Sequence, residues 1–159
     1  MADIPTGKKT SDSVITMTEL VLPNHTNQLG KLLGGQLMHW IDICAAMSAA
    51  KHNHRICVTA SVDRIDFHKP INLGEAVTLV ASVNRVFNTS MEVGVKVYAE
   101  NFLEAKKTHT NSAYLTFVSV DKDAKPVKGI PVIPESVDEL RRFNEALQRR
   151  DYRLKDRYK

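Results

Sequence analysis

The spacing of apolar and polar positions changes several times along the chain, and each change marks an element. Residues 13–22, SVITMTELVL, read as a strand that Pro23 stops, and PNHTNQLGK makes a loop rich in Asn, Thr and Gly. The next stretch, LLGGQLMHWIDICAAMSAA, is apolar almost throughout, which predicts a helix from about Leu32 or Gly35 to about Lys51. Strand-like segments then take over. Residues 56–67, ICVTASVDRIDF, run to the turn that Pro70 and Gly74 mark, and residues 75–87 carry Val77, Leu79, Ala81, Val83 and Phe87 at alternate positions. Residues 90–100 alternate most cleanly: Met91, Val93, Val95, Val97 and Ala99 fall on one face, and Glu92, Lys96, Tyr98 and Glu100 on the other. Residues 107–120 form a last strand. After the proline-broken connector PVKGIPVIPES, residues 136–150 read as an exposed helix, with Ser136 as N-cap and Glu139 completing a capping box.

A strand, one long apolar helix and a run of antiparallel strands make an α+β fold. A helix apolar on nearly every side needs cover on nearly every side. A strongly curved antiparallel sheet of about five or six strands wrapped around it supplies that cover. The expected organisation is a disordered tail over residues 1–12, a single domain over 13–133 and a basic helix or tail over 134–159.

Composition narrows the class. With 159 residues, 43% hydrophobic and 25% charged, the chain suits one soluble globular domain. Residues 1–13 lack the apolar core of a secretory signal. Gly34, Gly35, Gln36, His39 and Asp42 interrupt the apolar stretch too often for a membrane span. Two cysteines, Cys44 and Cys57, have no metal-type spacing, so no metal is expected and a reduced, cytoplasmic compartment is. The net charge of +4 divides unevenly: residues 141–159 hold eight Lys/Arg against three Asp/Glu, and the rest holds 14 against 15. A neutral body with a basic tail argues against a nucleic-acid-binding domain, which carries its charge on a folded face.

The candidate chemistry centres on Asp42, the only formal charge between Lys31 and Lys51. No Lys or Arg lies within a helical turn of it. Either it meets solvent or an internal hydrogen bond, or it faces a cleft as a base or nucleophile. Gly34 and Gly35 at the helix entrance leave first-turn N–H groups open to an oxyanion or a carbonyl oxygen, or simply pack the helix tightly against a strand. Cys44 sits two residues from Asp42, on another helix face, and reads as a small buried residue. Gly30 and Gly35 lack the Lys-Ser/Thr of a phosphate-binding loop.

Taken together, PNHTNQLGKLLGGQLMHWID, VTASVDRIDFHKPINLGE, NTSMEVGVKVYAEN and AYLTFVSVD resemble the acyl-CoA hydrolases of the hotdog fold, in the branch of the short bacterial acyl-CoA thioesterases and the brain-type acyl-CoA hydrolase, over roughly residues 14–121. The resemblance implies a central helix wrapped by a curved sheet and hydrolysis of acyl-CoA to a free acid and coenzyme A. It implies a site shared by two subunits of a homodimer, with three such dimers forming a hexamer, and no cofactor, nucleic acid or membrane. By position, Asn27 (three residues before Gly30), Gly35 and Asp42 become catalytic, with Asn27 and Asp42 meeting from different subunits. Gly34, Thr59, Ser61, Arg85, Ser90 and Met91 become substrate contacts. His25 and Leu33 depart from the family pattern, which often has an acidic residue and an aromatic residue or His at those places. In the implied mechanism a backbone N–H near Gly35 binds the thioester carbonyl, and Asp42 acts as general base on water or attacks directly. Arg64, Arg85, Lys106 and the basic tail are the cations available to the phosphates of coenzyme A. The alternatives are a hotdog hydratase or dehydratase, for which the loop PNHTNQLG offers His25 but no HFP, and a non-catalytic acyl-CoA-binding or nucleic-acid-binding module.

Overall fold

The computed structural model describes residues 6–157. Five strands form one antiparallel sheet: β2 (Ile15–Leu20), β3 (Ile56–Val62), β4 (Ala76–Val86), β5 (Ser90–Asn101) and β6 (Lys106–Val120), in the order β2-β4-β5-β6-β3. A 20-residue helix, α1 (Gly34–Asn53), packs on its concave face, and a second, α2 (Val137–Asp156), lies across its convex face. This is the hotdog arrangement. A two-residue strand, β1 (Lys8–Lys9), pairs in parallel with β7 (Val132–Ile133).

The core follows the alternation of β4 and β5. Val77, Leu79, Ala81 and Val83 join Met91, Val93, Val95 and Val97, then Ala113, Leu115 and Phe117 of β6, around Leu37, Trp40, Ile41, Cys44 and Ala45 of α1. The helix is nevertheless not covered all round. Gly35, His39, Ile43 and Met47, four residues apart, line an exposed stripe, with Ile43 38% and Met47 40% accessible.

Two β-bulges change which face later residues occupy. In β4 the pairing shifts at Asn84: Val83 opposes Val93, but Arg85 opposes Glu92 and Val86 opposes Met91. Strict alternation puts Phe87 in the core; after the bulge Val86 points inward, and Arg85 and Phe87 lie on the convex side. In β3 the shift falls at Ala60, so Thr59 opposes the buried Phe117 while Ser61 opposes Thr116 on the outer face.

Three expectations are revised. Residues 8–12 are not a loose tail: Lys8–Lys9 pair with β7, Ser13 is fully buried, its hydroxyl accepts the Val83 N–H at 2.9 Å, and Ser48 donates to its carbonyl at 2.8 Å. Residues 1–5 of the expected tail lie outside the described residues. The strand expected to reach residue 67 ends at Val62. The C-terminal helix begins with the predicted capping box, Ser136 Oγ accepting the Glu139 N–H at 3.1 Å, but it runs on to Asp156 and is docked, not merely solvated.

Glu92 is the reason for that docking. Its carboxylate is fully buried and accepts Arg149 Nη2 at 2.7 Å, Arg149 Nε at 3.0 Å and Asn84 Nδ2 at 2.9 Å. Arg149 stacks 3.7 Å over the Tyr114 ring, and Arg153 binds Asp63 with both carboxylate oxygens at 3.0 and 2.9 Å. Gly94 permits this network, because a Cβ there would stand 2.8 Å from Asn84 Nδ2.

Candidate active site

The chemistry-bearing residues fall at the start and on the open stripe of α1. Leu33 caps the helix without a side-chain bond, and the first intrahelical bond runs from Leu37 N–H to the Leu33 carbonyl at 3.1 Å. The N–H groups of Gly34, Gly35 and Gln36 therefore precede any helical acceptor. A Cβ at Gly35 would meet nothing within 4 Å, so a ligand can approach the backbone closely there.

Asn27 stands beside this helix start in a turn closed by Gly30 N–H to the Asn27 carbonyl at 3.0 Å, with Gly30 at φ +68°. Asn27 Oδ1 accepts the N–H groups of Leu29 (2.9 Å) and Lys31 (3.2 Å). The turn consumes the side-chain oxygen and leaves the NH2 group for a ligand. Asn27 and Gly34 share a cavity of about 340 Å³ with Leu32, Leu37, Phe67 and Ile71.

Asp42 lies further along α1, half-buried, and Oδ1 accepts the Thr59 hydroxyl at 2.7 Å. The regular pairing of β3 before the bulge, with Thr59 opposite the buried Phe117, puts Thr59 on the α1 side of the sheet. Asp42 does not line the cavity of Asn27 and Gly34. Seven residues separate Gly35 from Asp42, a rise of about 10.5 Å along one helix. A single thioester carbonyl cannot touch both groups of the same chain.

The remaining expected contacts separate. Thr59 engages Asp42. Ser61, on the other face, joins Ser90, Thr116, Arg150, Arg153 and Arg157 around a hollow of about 170 Å³ under α2. The Thr116 hydroxyl oxygen is buried there without a partner, and Arg150 lies 4.6 Å over the Phe87 ring with no acidic partner among the described residues. Met91 is a correction: it is fully buried in the core and has no surface to offer a ligand, because the inward phase of β5 includes it. Arg85 is committed elsewhere, 4.0 Å over the Phe143 ring and donating to the Phe143 carbonyl at 3.2 Å. Arg64 pairs with Asp66.

His25 and Cys44 take structural roles. His25 Nδ1 accepts the Leu22 N–H at 3.1 Å and its ring meets Trp40 edge-on at 5.1 Å. Burial pushes the Cys44 thiol up to about 11, which keeps it protonated and removes it as a nucleophile at neutral pH. Among the described residues no helix is long and apolar enough to cross a membrane.

Sequence reasoning missed two features. Glu92 on the polar face of β5 signalled an exposed charge, yet α2 buries it; Arg149 and Arg153, four residues apart, were the available hint. The second is the edge of the sheet. β3 is bonded only to β6, and it exposes Ile56 (66%), Val58 (45%) and Val62 (38%). An apolar unpaired edge invites another strand.

Comparison with known proteins agrees with this layout. The model of the thioesterase superfamily matches residues 29–105. A Bacillus subtilis protein named as an uncharacterized acyl-CoA thioester hydrolase is 39% identical over 151 residues, covering 95% of this chain and 88% of that protein. The chain also matches mammalian thioesterases but spans only 23–38% of their length. An acyl-CoA hydrolase from Staphylococcus aureus, solved in complex with butyryl coenzyme A, coenzyme A and coenzyme A disulfide, is 36% identical with a TM-score of 0.89, covering 95% of this chain and 92% of that one. Its solved variants replace an Asn, an Asp and a Thr by Ala at positions 15 and 17 residues apart. Asn27, Asp42 and Thr59 stand at the same intervals. A hexameric acyl-CoA thioesterase is 37% identical with a TM-score of 0.91, covering 94% of this chain and 96% of that one.

Proposed function

The chain belongs to the thioesterase superfamily, among its acyl-CoA hydrolases, and from that premise we propose that two copies of it together hydrolyse the thioester of acyl-CoA to a carboxylic acid and coenzyme A. The observation that carries the shared site is the separation of the two groups the reaction needs. Gly35 and Asp42 stand two turns apart on one side of one helix, which leaves the Gly35 N–H and the Asp42 carboxylate too far apart for one carbonyl. A twofold axis that continues the sheet through the apolar edge of β3 would also bring the open stripe of α1 against its copy, placing Asp42 of one protomer opposite Gly35 and Asn27 of the other. The covered surface would include Ile43, Met47, Ile56 and Val58, whose exposure otherwise has no compensation. Three such dimers assembling as a hexamer is the further arrangement we infer, in line with the hexameric relative.

In this site the Gly35 N–H donates to the thioester oxygen and stabilises the charge it gains in the transition state. The Asn27 NH2 holds the water or the thioester in place. Asp42, steadied by the Thr59 hydroxyl, takes a proton from water as it attacks the carbonyl carbon, or attacks that carbon itself to give an anhydride that water then opens. In either route the carbon–sulfur bond breaks, and the sulfur leaves with a proton as coenzyme A. Coenzyme A enters as part of the substrate; the steps call on no cofactor. The hollow of Ser61, Ser90 and Thr116 beneath Arg150 and Arg157 provides cations and hydroxyls suited to its phosphates. The neutral body and committed α2 arginines favour this reading over nucleic-acid binding, and the occupied His25 disfavours a dehydratase.

The test is release of free thiol from acyl-CoAs of graded length by the full chain and by Asp42→Asn. Hydrolysis by the wild type and a loss of two or more orders of magnitude in folded D42N support the reading. Water addition to an enoyl-CoA without thiol release, or wild-type rates in D42N, overturns it.

A further inference from the structure

The cavity beside Gly34 has its own chemistry. Its wall is hydrocarbon: Leu32, Leu37 and Ile71 at the back and Phe67 across the front. The two ammonium groups at its rim are held outward, Lys31 on Asn72 Oδ1 and Lys69 on the His109 carbonyl at 3.1 Å. Its polar end is the helix start, where Asn27 and Gly34 stand next to the Gly35 N–H, which has no helical acceptor. At about 340 Å³ it lies near the lower end of the ~300–1,000 Å³ common for small-ligand pockets.

Phe67 is the unusual member. It is 50% exposed, yet its ring leans over the helix start, 3.6 Å from where a Gly34 Cβ would stand. Core packing does not hold it there. The preceding residue does: the buried Asn111 donates to the Asp66 carbonyl at 2.7 Å and fixes the segment between β3 and β4. A large apolar ring is thus maintained at the mouth of an apolar cavity, one residue from the N–H assigned to the thioester oxygen.

We propose that this cavity receives the acyl chain and that the Phe67 ring sets the length it admits. The inference rests on the hydrolase reading, since it takes the carbonyl to sit at Gly35; from there the chain runs past Gly34 into the cavity while the sulfur side points outward. The cavity's size matches a short or medium acyl group, and the ring closes the way to longer ones. Removing the ring opens the cavity to further methylenes, each worth about fourfold in binding from the free energy of burying one CH2 group.

The experiment is kcat/KM for acetyl-, butyryl-, octanoyl- and palmitoyl-CoA in the full-length wild type, Phe67→Ala and Phe67→Trp, with thermal unfolding as a check on folding. Expected in F67A is a rise of about tenfold or more in the ratio of the longest to the shortest substrate, from roughly two to three extra buried methylenes. F67W should lower the same ratio. Unchanged ratios in both folded variants overturn the proposal. If the wild type releases no thiol from any acyl-CoA, the hydrolase reading fails, and the cavity is then judged by binding of free fatty acids. A chain-length cutoff that moves in F67A upholds it; length-independent or absent binding overturns it.

Discussion

Replacing Arg149 by methionine isolates the ion pair that fastens α2 to the sheet. The Glu92 carboxylate has no contact with solvent, and Arg149 supplies two of its three close donors, at 2.7 and 3.0 Å. Methionine keeps an apolar stem over Tyr114 but leaves the buried charge with Asn84 and with Arg153 at 3.7 Å. Stripping one partner from a buried pair costs about 3–5 kcal/mol. Arg149 is 22% exposed and Arg153 stays nearby, which places the expected loss near the lower limit, about 3 kcal/mol. For a chain of this length that corresponds to a fall in Tm of about 6–12 °C. Glu92→Met should cost less, because the freed guanidinium at the domain surface can turn to water. The double variant E92M/R149M should lie closer to the wild type than R149M does, since two matched apolar groups leave no buried charge. Urea and thermal unfolding followed by circular dichroism give all four corners of the cycle. A loss below about 0.5 kcal/mol in R149M would show that the pair does not hold the helix.

Other outcomes follow from single contacts. Thr59→Val removes the hydroxyl that donates to Asp42 at 2.7 Å; with about 1.5–3 kcal/mol for a hydrogen bond to a charged group, kcat should fall roughly 10- to 100-fold, whereas unchanged kcat would leave Thr59 no part in positioning Asp42. His52 is fully buried, with Nε2 on the Ile130 carbonyl at 2.7 Å and Nδ1 unpartnered, and burial holds its imidazole below the ordinary 6.5. The unfolded chain therefore binds a proton more readily than the folded one. Stability from this group is complete above about pH 6.5 and declines as pH falls below it, by up to ~1.4 kcal/mol per pH unit. Tm measured from about pH 8 to pH 5 should show that decline, and His52→Gln should flatten it; equal slopes in the two proteins would assign the acid sensitivity elsewhere.

The fold was largely legible because its signals are local. The alternation of Val93, Val95 and Val97, the apolar run of α1 and the Ser136–Glu139 cap each declare an element within a few residues. The site was legible in part: the turn at Asn27, the glycine pair at the helix start and the lone Asp42 all stand out in the chain, and the structure shows where each lies. What stayed hidden depends on partners distant in sequence. No local pattern announces the bulges at Asn84 and Ala60, and each reverses the face of everything beyond it. That is why Phe87 looked internal and why Thr59 and Ser61 looked like neighbours in one cleft. Met91 seemed available because it stands between Ser90 and Glu92 in the resemblance motif, while its own phase points to the core. Glu92 looked exposed because Arg149, the residue that pairs with it, lies 57 residues away.

A shared site is tested most directly by combining two dead subunits. Asn27→Ala and Asp42→Ala, co-expressed with different tags and purified as the mixed assembly, each carry one intact half. If Asn27 of one protomer works with Asp42 of the other, every mixed dimer contains one complete site and one doubly damaged one. Random pairing then restores about a quarter of the wild-type thiol release, and because almost every hexamer carries both tags, selection for them leaves that figure nearly unchanged. If the two residues serve within a single chain, the mixed assembly stays as inactive as either variant alone, and the two-copy site is wrong.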